Sequence, residues 1–297
     1  MDQSRYVTNI LKRFNLHKAE PMETPFTPNT KYTKKDQPPI DSHEQRKVAK
    51  LQMREKLGSL MHATHTRHDI RQIVTRMSRY ISNPGMKHVK AIGKIFRYLR
   101  GTIHYGIRFN GPSEEFKSFI GTKENGDPID TSGLLCFVDS DWAGDQDDSK
   151  STRGYIIFYN GSVIASKSKK DATVSLSSAE AELSALTLLT QELEWLNILL
   201  EDLGLPISEP TLIFEDNQST IGMIHDPASV TSRAKHLVIK KAWIHEKLKG
   251  KKIDVIWKQS LLNLADTFTK DGSRTIYLGH RKAYMSDLKE FENASVL

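Results

Sequence analysis

The second half of the chain contains three strand-like segments, followed by helical and strand-like segments in alternation. Asn160-Gly161 lies between the second and the third of these strands. An Asn-Gly pair in this position predicts a hairpin, because a type I′ turn needs positive φ at both central residues. The full order, β-β-β-α-β-α-α-β-α, predicts an α/β fold in which helices pack on a mixed sheet.

Four carboxylates lie at the ends of different predicted elements in this half of the chain. They are Asp139, Glu182, Asp216 and Asp266. Each has a structural explanation of its own, such as a strand end, the first turns of a helix or a helix cap. Carboxylates that are held close together repel each other, and hard cations such as Mg²⁺ bind oxygen ligands. The joint pattern therefore favours a metal-binding cluster.

Neighbouring acidic residues fit structural roles instead. The aspartates that follow the first strand are typical of a solvated turn: Asp141, Asp145, Asp147 and Asp148. Glu180 is three residues beyond Ser177, which is the spacing of a capping box. Glu215 directly precedes Asp216 in a strand, so the alternation of side chains predicts that Glu215 points to the opposite face.

Positive charge is concentrated in residues 1–132, which carry a formal net charge of +11, whereas the remainder carries −4. This asymmetry predicts a polyanion-binding region joined to the acidic cluster. The candidate contacts lie on two basic helices: Lys87, Lys90, Lys94 and Arg97 on the first, and Arg233, Lys235, His236, Lys240 and Lys241 on the second. Solvated helix surfaces are the alternative explanation for both rows. Trp243 and Trp257 are predicted to lie in the core.

The cysteine content indicates the cellular compartment. Cys136 is the single cysteine of the sequence, which excludes an internal disulfide and favours a reducing compartment. We predict that it is a small core residue. The sequence also lacks the apolar runs of a signal peptide or a membrane span. We therefore expect an intracellular protein, in a cytoplasmic particle or the nucleus, that is not secreted and has no membrane partner.

Eight segments carry a family resemblance. In the second half these are FVDSDWAGDQDDSKSTRGYIIF, SLSSAEAELSAL, IFEDNQSTI, RAKHLVIKKAWIHE and NLADTFTK. They resemble the ribonuclease H domain of the Pol polyproteins of copia-type, long-terminal-repeat retrotransposons. In the first half the segments are YVTNILKRFNL, GSLMHATHTRHDI and MSRYISNPGMKHVKAIGKIFRYLRGT. They resemble the region between the polymerase core and the ribonuclease H domain of the same family.

The resemblance implies a fold and a domain organisation. The expected fold is a ribonuclease H-like mixed five-stranded sheet with flanking helices. A mainly helical remnant of the reverse transcriptase thumb and connection would precede it. The implied boundaries are 1–110 for the remnant, 111–132 for a linker, 133–275 for the ribonuclease H domain and 276–297 for a C-terminal tail.

The resemblance also implies two-metal hydrolysis of the RNA strand of RNA–DNA hybrids. The catalytic and metal-binding set would be Asp139, Glu182, Asp216 and Asp266. We expect two Mg²⁺ ions, with Mn²⁺ as a substitute, and no small-molecule cofactor; the expected partners are the hybrid and the remaining Pol segments. The polymerase motif Tyr-x-Asp-Asp of the family is absent from the sequence, so no polymerase activity is expected from this chain alone. The alternative is a catalytically decayed nucleic-acid-binding remnant or a repurposed module.

Overall fold

The chain forms two compact units. The computed structural model describes residues 1–123, 125–205, 207, 210–226 and 235–289. The side chain of His236 is outside this description. One unit comprises Met1–Asn110 together with Asp271–Leu297, and the other comprises Gly111–Lys270. Within the described ranges, no helix has both the length and the apolar composition that crossing a bilayer requires.

The first unit is mainly helical. Its helices are α1 (Ser4–Arg13), α2 (His43–Ala49), α3 (Met53–Ala63), α4 (Arg71–Ser78), α5 (Met86–Gly101) and α10 (Arg274–Tyr284). A two-stranded sheet pairs β1 (Tyr105–Gly106) with β7 (Ser286–Asp287). The apolar faces of the helices form one core, in which Leu60, Ile95 and Phe96 are fully buried. Residues 19–41, which are rich in proline, add the buried rings of Phe26 and Tyr32 to this core.

The two units divide the chain differently from the boundaries that the sequence predicted. The predicted linker, 111–132, belongs to the second unit and contains α6 (Glu114–Ile120). Its Phe116 is fully buried, and its ring centroid lies 4.3 Å from that of Phe158. The predicted tail, 276–297, begins inside α10, which belongs to the first unit. Tyr277 of that helix is buried, so aromatic side chains anchor both segments.

The second unit contains the predicted sheet. Its strands are β2 (Leu134–Asp141), β3 (Thr152–Tyr159), β4 (Ser162–Lys170), β5 (Thr211–Glu215) and β6 (Ile253–Trp257). Their order in space is β4-β3-β2-β5-β6. β2 pairs antiparallel with β3 and parallel with β5, and β5 pairs parallel with β6. The flanking helices are α7 (Ser178–Asp202), α8 (Gln218–His225) and α9 (Lys235–Lys249). The predicted α/β class with a mixed five-stranded sheet is confirmed.

Local signals in the sequence position these elements. Asn160 and Gly161 have φ values of 49° and 69°, which confirms the predicted hairpin between β3 and β4. The Ser177 hydroxyl accepts a hydrogen bond from the backbone N–H of Glu180 (3.1 Å) and caps α7. The leucines of α7 pack on one face of the sheet. Cys136 is fully buried in that core, as predicted, and burial raises the pKa of its thiol.

β3 closely approaches a 3₁₀ turn, Leu264–Phe268, at Gly154. A Cβ atom at this glycine would lie 2.7 Å from the Thr269 Cγ2 atom and 2.9 Å from the Phe268 Cβ atom. Real Cβ atoms do not approach this closely, so glycine is required for this contact. The contact holds the residues after β6 against the sheet.

A buried ionic network stabilises the first unit. Arg67 and Asp69 have no exposed side-chain surface, and they form two hydrogen bonds of 2.7 and 3.0 Å. Arg67 also donates to the carbonyl oxygen and the hydroxyl of Thr102 (2.7 and 2.6 Å), and the Tyr98 hydroxyl donates to Asp69. These bonds satisfy two charges that would be very unfavourable to bury alone.

We predict that Arg67→Met lowers the free energy of unfolding by about 3–5 kcal/mol, because it leaves the Asp69 carboxylate buried without its partner. Urea denaturation measures this change. The control is Arg274→Met, which removes an ion pair with Glu23 whose side chains are 57% and 66% exposed. An exposed pair of this kind contributes about 0–1 kcal/mol. Equal effects of the two variants would contradict the prediction.

We also predict that Gly154→Ala destabilises the chain by about 1–3 kcal/mol, because the added methyl group overpacks the contact with Phe268 and Thr269. Gly133→Ala is the matched control, since a Cβ atom there would have no heavy atom within 4 Å. Urea denaturation of both variants tests the prediction. A Gly154→Ala protein as stable as the control would show that the contact does not constrain the turn.

Candidate active site

The parallel pairing of β2 and β5 places the ends of both strands at one edge of the sheet. Asp139 lies near the carboxyl end of β2, and Asp216 directly follows Glu215, the last residue of β5. Glu182 lies near the start of α7, the helix that connects β4 with β5. In open α/β sheets, this edge is where ligands bind. The topology therefore brings three of the four predicted carboxylates to the same edge.

Asp266 reaches the same place through the 3₁₀ turn that follows β6. Asn263 is fully buried and donates from Nδ2 to the carbonyl oxygen of Val138 on β2 (2.7 Å). Its Oδ1 atom accepts from the backbone N–H of Ala265 (3.0 Å), which fixes the start of the turn. The hydroxyl of Thr269 donates to Asp139 Oδ2. Side chains on both sides of Asp266 therefore tie the turn to β2.

The carboxylate oxygens converge in two groups that share Asp216. In the first group, oxygens of Asp139, Asp216 and Asp266 lie within 4.8 Å of one another. In the second, oxygens of Glu182, Glu215 and Asp216 do so. All four predicted carboxylates thus belong to one cluster, together with Glu215.

Burial and mutual repulsion raise the pKa values of four acids of the cluster. For Glu182 burial is the largest cause of the raised pKa, followed by the charges of Glu215, Asp139 and Asp216. Burial is also the main reason why the pKa values of Glu215 and Asp216 are raised. Burial, with the charge of Asp139, raises the pKa of Asp266 to about 8. Without cations the cluster therefore retains protons near neutral pH.

Lys270 supplies one positive charge to the first group. Its ammonium lies 3.0 Å from Asp266 Oδ1 and 4.0 Å from Asp139 Oδ2. Burial acts to lower the pKa of Lys270, but the carboxylates of Asp139 and Asp266 outweigh it and raise that pKa above its usual value. One ammonium cannot balance the charge of the whole cluster.

The cluster fits a hard divalent cation. Its donor atoms are carboxylate oxygens, which are the ligands that Mg²⁺ prefers. The Oε2 atoms of Glu182 and Glu215 are buried, and no described residue donates a hydrogen bond to them. An unpaired buried carboxylate oxygen is unfavourable, and a bound cation would satisfy it.

Two acidic residues differ from their sequence predictions. The prediction that Glu215 points away from Asp216 is wrong: its oxygen joins those of Glu182 and Asp216, because β5 ends at Glu215 and the alternation of a strand does not continue. The prediction that Asp145 is solvated is also wrong. It is buried and forms a 2.6 Å ion pair with Lys170 at the end of β4.

One of the two predicted core tryptophans lies beside the site. Trp257 is 51% exposed, and its indole Nε1 donates to the carbonyl oxygen of Asp216 (3.1 Å). The prediction of a core position is wrong for Trp257, because β6 is an edge strand. Trp243 is partly buried and packs against the core that α7 covers.

The basic row on α5 contacts an earlier segment of its own unit. Its partners are the Asp36 carboxylate for Lys87 (3.0 Å), the Thr27 hydroxyl for Lys94 and the Glu20 carbonyl oxygen for Arg97 (2.7 Å). Lys90 is exposed. These contacts explain three members of the row by intramolecular packing, and the binding of nucleic acid by this row stays a prediction.

The residues of the predicted basic row at α9 differ in their exposure and contacts. Arg233 and the side chain of His236 lie outside the described residues. Lys235 is exposed. Lys240 is half-buried and donates from Nζ to the hydroxyl of Ser184 (2.8 Å), two residues beyond Glu182. Lys241 is only 1% exposed, and its role as a phosphate contact stays a prediction.

We predict that the metal-free chain loses stability as the pH rises from 6.5 to 8. The folded state retains the proton of Asp266, whose ordinary pKa is 3.8, and the unfolded state releases it. One such group changes the free energy of unfolding by up to about 1.4 kcal/mol per pH unit. Asp266→Asn, which is neutral, should therefore unfold at a higher temperature than the wild type in EDTA, by a margin that grows with pH.

The control for this measurement is Asp254→Asn, because Asp254 is exposed on β6. Its melting temperature should follow that of the wild type across the same range. A constant difference between Asp266→Asn and the wild type would mean that Asp266 is already ionised in the folded chain.

Sequence comparison identifies relatives over most of the chain. It is 34% identical over 271 residues to the retrovirus-related Pol polyprotein from transposon TNT 1-94 of Nicotiana tabacum, covering 91% of this chain and 19% of that protein. It is 32% identical over 278 residues to the corresponding polyprotein from transposon RE1 of Arabidopsis thaliana, covering 93% of this chain and 17% of that protein. The chain thus spans less than a fifth of the length of either relative. No family model matches it.

Among solved structures, the chain is similar to LC11-RNase H1 in complex with an RNA/DNA hybrid. The TM-score is 0.35 at 15% sequence identity, and the alignment covers 46% of this chain and 93% of that one. The identity of the chain rests on the sequence relatives, which align with both units. The chain belongs to the family of copia-type, retrovirus-related Pol polyproteins.

Proposed function

We propose that the second unit is a ribonuclease H that hydrolyses the RNA strand of RNA–DNA hybrids. The observation that carries this proposal is the convergence of Asp139, Glu182, Asp216 and Asp266 at one edge of a mixed sheet. Membership of the Pol family and the motifs around these residues favour the same activity. The domain would extend over the compact unit Gly111–Lys270 rather than beginning at residue 133.

In this proposal the carboxylates hold two divalent cations, Mg²⁺ or Mn²⁺. Bound there, such ions activate a water molecule and stabilise the leaving oxygen of a phosphodiester. The first group, which contains Asp139 and Asp266, would hold one ion, and the group that contains Glu182 would hold the other, with Asp216 common to both. The tie between Asn263 and Val138 keeps Asp266 in position, so the ligands need little rearrangement when ions bind.

The nucleic-acid surface that we propose lies beside this cluster. Lys235 and Lys240 of α9 belong to the same unit as the carboxylates, and Lys240 contacts Ser184 near Glu182. Phosphate groups attract such cations, and the 2′-hydroxyls of RNA allow a protein to distinguish it from DNA. The exposed Trp257 offers an aromatic face next to Asp216.

We propose a separate role for the first unit. Its helical structure and its sequence resemblance are consistent with a thumb and connection remnant of a reverse transcriptase. Such a unit would bind the hybrid or other Pol segments and would not carry out chemistry. The exposed Lys90 on α5 is the candidate contact in this unit, since the other three basic residues of that row hold residues 20–36.

Cleavage of a labelled RNA–DNA hybrid by the purified chain tests the proposed activity. We expect Mg²⁺-dependent cuts in the RNA strand and an intact DNA strand. Asp216→Asn should lower the rate by more than about 100-fold. Substitution of a residue that only supports a metal ligand already lowers metal affinity or activity by about 10- to 100-fold. Asp254→Asn, an exposed carboxylate on β6, should cut like the wild type.

Two results would contradict the proposal. Wild-type cleavage by Asp216→Asn would show that the carboxylate cluster is not the active site. Binding of the hybrid without cleavage, at any Mg²⁺ or Mn²⁺ concentration, would instead support the alternative of a decayed binding module.

A further inference from the structure

We propose that Glu215 is a fifth carboxylate ligand of the candidate metal centre, and that it binds a divalent cation together with Glu182 and Asp216. This inference rests on the proposed function, because it assumes that the cluster holds metal ions. It goes beyond the resemblance, in which four carboxylates form the site and Glu215 has no role.

The backbone aims the Glu215 carboxylate into the cluster. Glu215 is the last residue of β5, and its Oε1 atom accepts a hydrogen bond from the backbone N–H of Asn217 (3.0 Å). Asn217 in turn caps α8 by accepting from the N–H of Thr220 (3.0 Å). The turn from strand to helix thus fixes one carboxylate oxygen. The other oxygen, Oε2, is left for a different partner.

No protein group supplies that partner within the described residues. Glu215 has no exposed surface, and its Oε2 atom accepts no hydrogen bond. The same is true of the Oε2 atom of Glu182, which is only 5% exposed. Neither residue forms an ion pair with a described basic side chain, whereas Asp139 and Asp266 have Lys270. Two buried carboxylates this close together without a cation are strongly unfavourable.

The spacing of these atoms suits a bound ion. Oxygens of Glu182, Glu215 and Asp216 lie within 4.8 Å of one another. Ligand oxygens lie about 2.0–2.1 Å from Mg²⁺, so atoms on opposite sides of one ion are separated by about 4 Å. Small side-chain adjustments would bring all three to one cation.

An alternative role for Glu215 is purely structural. A protonated Glu215 would still accept from the N–H of Asn217 and shape the turn into α8. Glutamine could perform that role equally well, because its carbonyl oxygen is also an acceptor. Glu215→Gln therefore separates the two roles: it preserves the acceptor and the shape and removes the charge.

The decisive experiment is a Mn²⁺ titration of the full chain, followed by electron paramagnetic resonance so that bound ions are counted without hybrid or turnover. The wild type should bind two ions. Glu215→Gln should lose one of them or bind it at least about tenfold more weakly. Glu201→Gln is the matched control on the exposed surface of α7, and it should bind both ions like the wild type.

Melting temperatures provide a second readout. Saturating Mg²⁺ should raise the melting temperature of Glu215→Gln by less than that of the wild type, because the variant lacks one ligand. A structural role predicts the same Mg²⁺-dependent increase in both chains. If the Gln variant does not fold, Glu215→Asp, which keeps the charge but shortens the side chain, should still show weaker binding of one ion.

Asp216→Asn separates failure of this inference from failure of the proposed function. Asp216 belongs to both oxygen groups, so its substitution should weaken both ions. Two tightly bound ions in Glu215→Gln, together with impaired binding in Asp216→Asn, would overturn the role of Glu215 and leave the proposed function intact. Wild-type binding in both variants would overturn both proposals.

Discussion

The parallel pairing of β2 with β5 is the interaction on which the candidate site depends. Leu135, Cys136 and Phe137 pair in register with Leu212, Ile213 and Phe214, so the two strands end at the same edge. The pairing requires a crossover, and α7 provides it while carrying Glu182 to that edge. The carboxylates are therefore held by backbone hydrogen bonds of a buried sheet. Their separation is set by the fold and does not depend on the repulsion between them.

That arrangement places like charges where water cannot screen them well. Two unit charges 4 Å apart repel by about 4 kcal/mol at an effective dielectric constant of 20, and whole domains are stable by only about 5–15 kcal/mol. Full ionisation of the cluster would thus greatly lower the free energy of unfolding of the unit. Lys270 relieves the group that contains Asp139 and Asp266. The group of Glu182 and Glu215 has no such cation among the described residues, so protons or metal ions must neutralise it.

The sequence correctly predicts the features for which local rules and packing agree. The Asn160-Gly161 hairpin, the Ser177 cap and the succession of strands along the chain follow from signals that a few neighbouring residues carry. It failed for Glu215, Asp145 and Trp257, because each depends on where a strand ends or which strand lies at the sheet edge. The alternation that placed Glu215 on the far face holds only inside β5. The ion pair of Asp145 needs β4 to extend as far as Lys170.

Net charge alone does not locate a binding surface, for a related reason. The +11 charge of residues 1–132 predicts a polyanion-binding region, yet three basic residues of α5 form contacts with residues 20–36 of the same chain. At physiological salt, charges on the surface act over only about 8 Å. A phosphate near Asp216 therefore responds to groups close to it in the second unit, such as Lys270, and to any bound cations. The local balance at the sheet edge, rather than the charge of either half, determines whether this acidic unit can approach a nucleic acid.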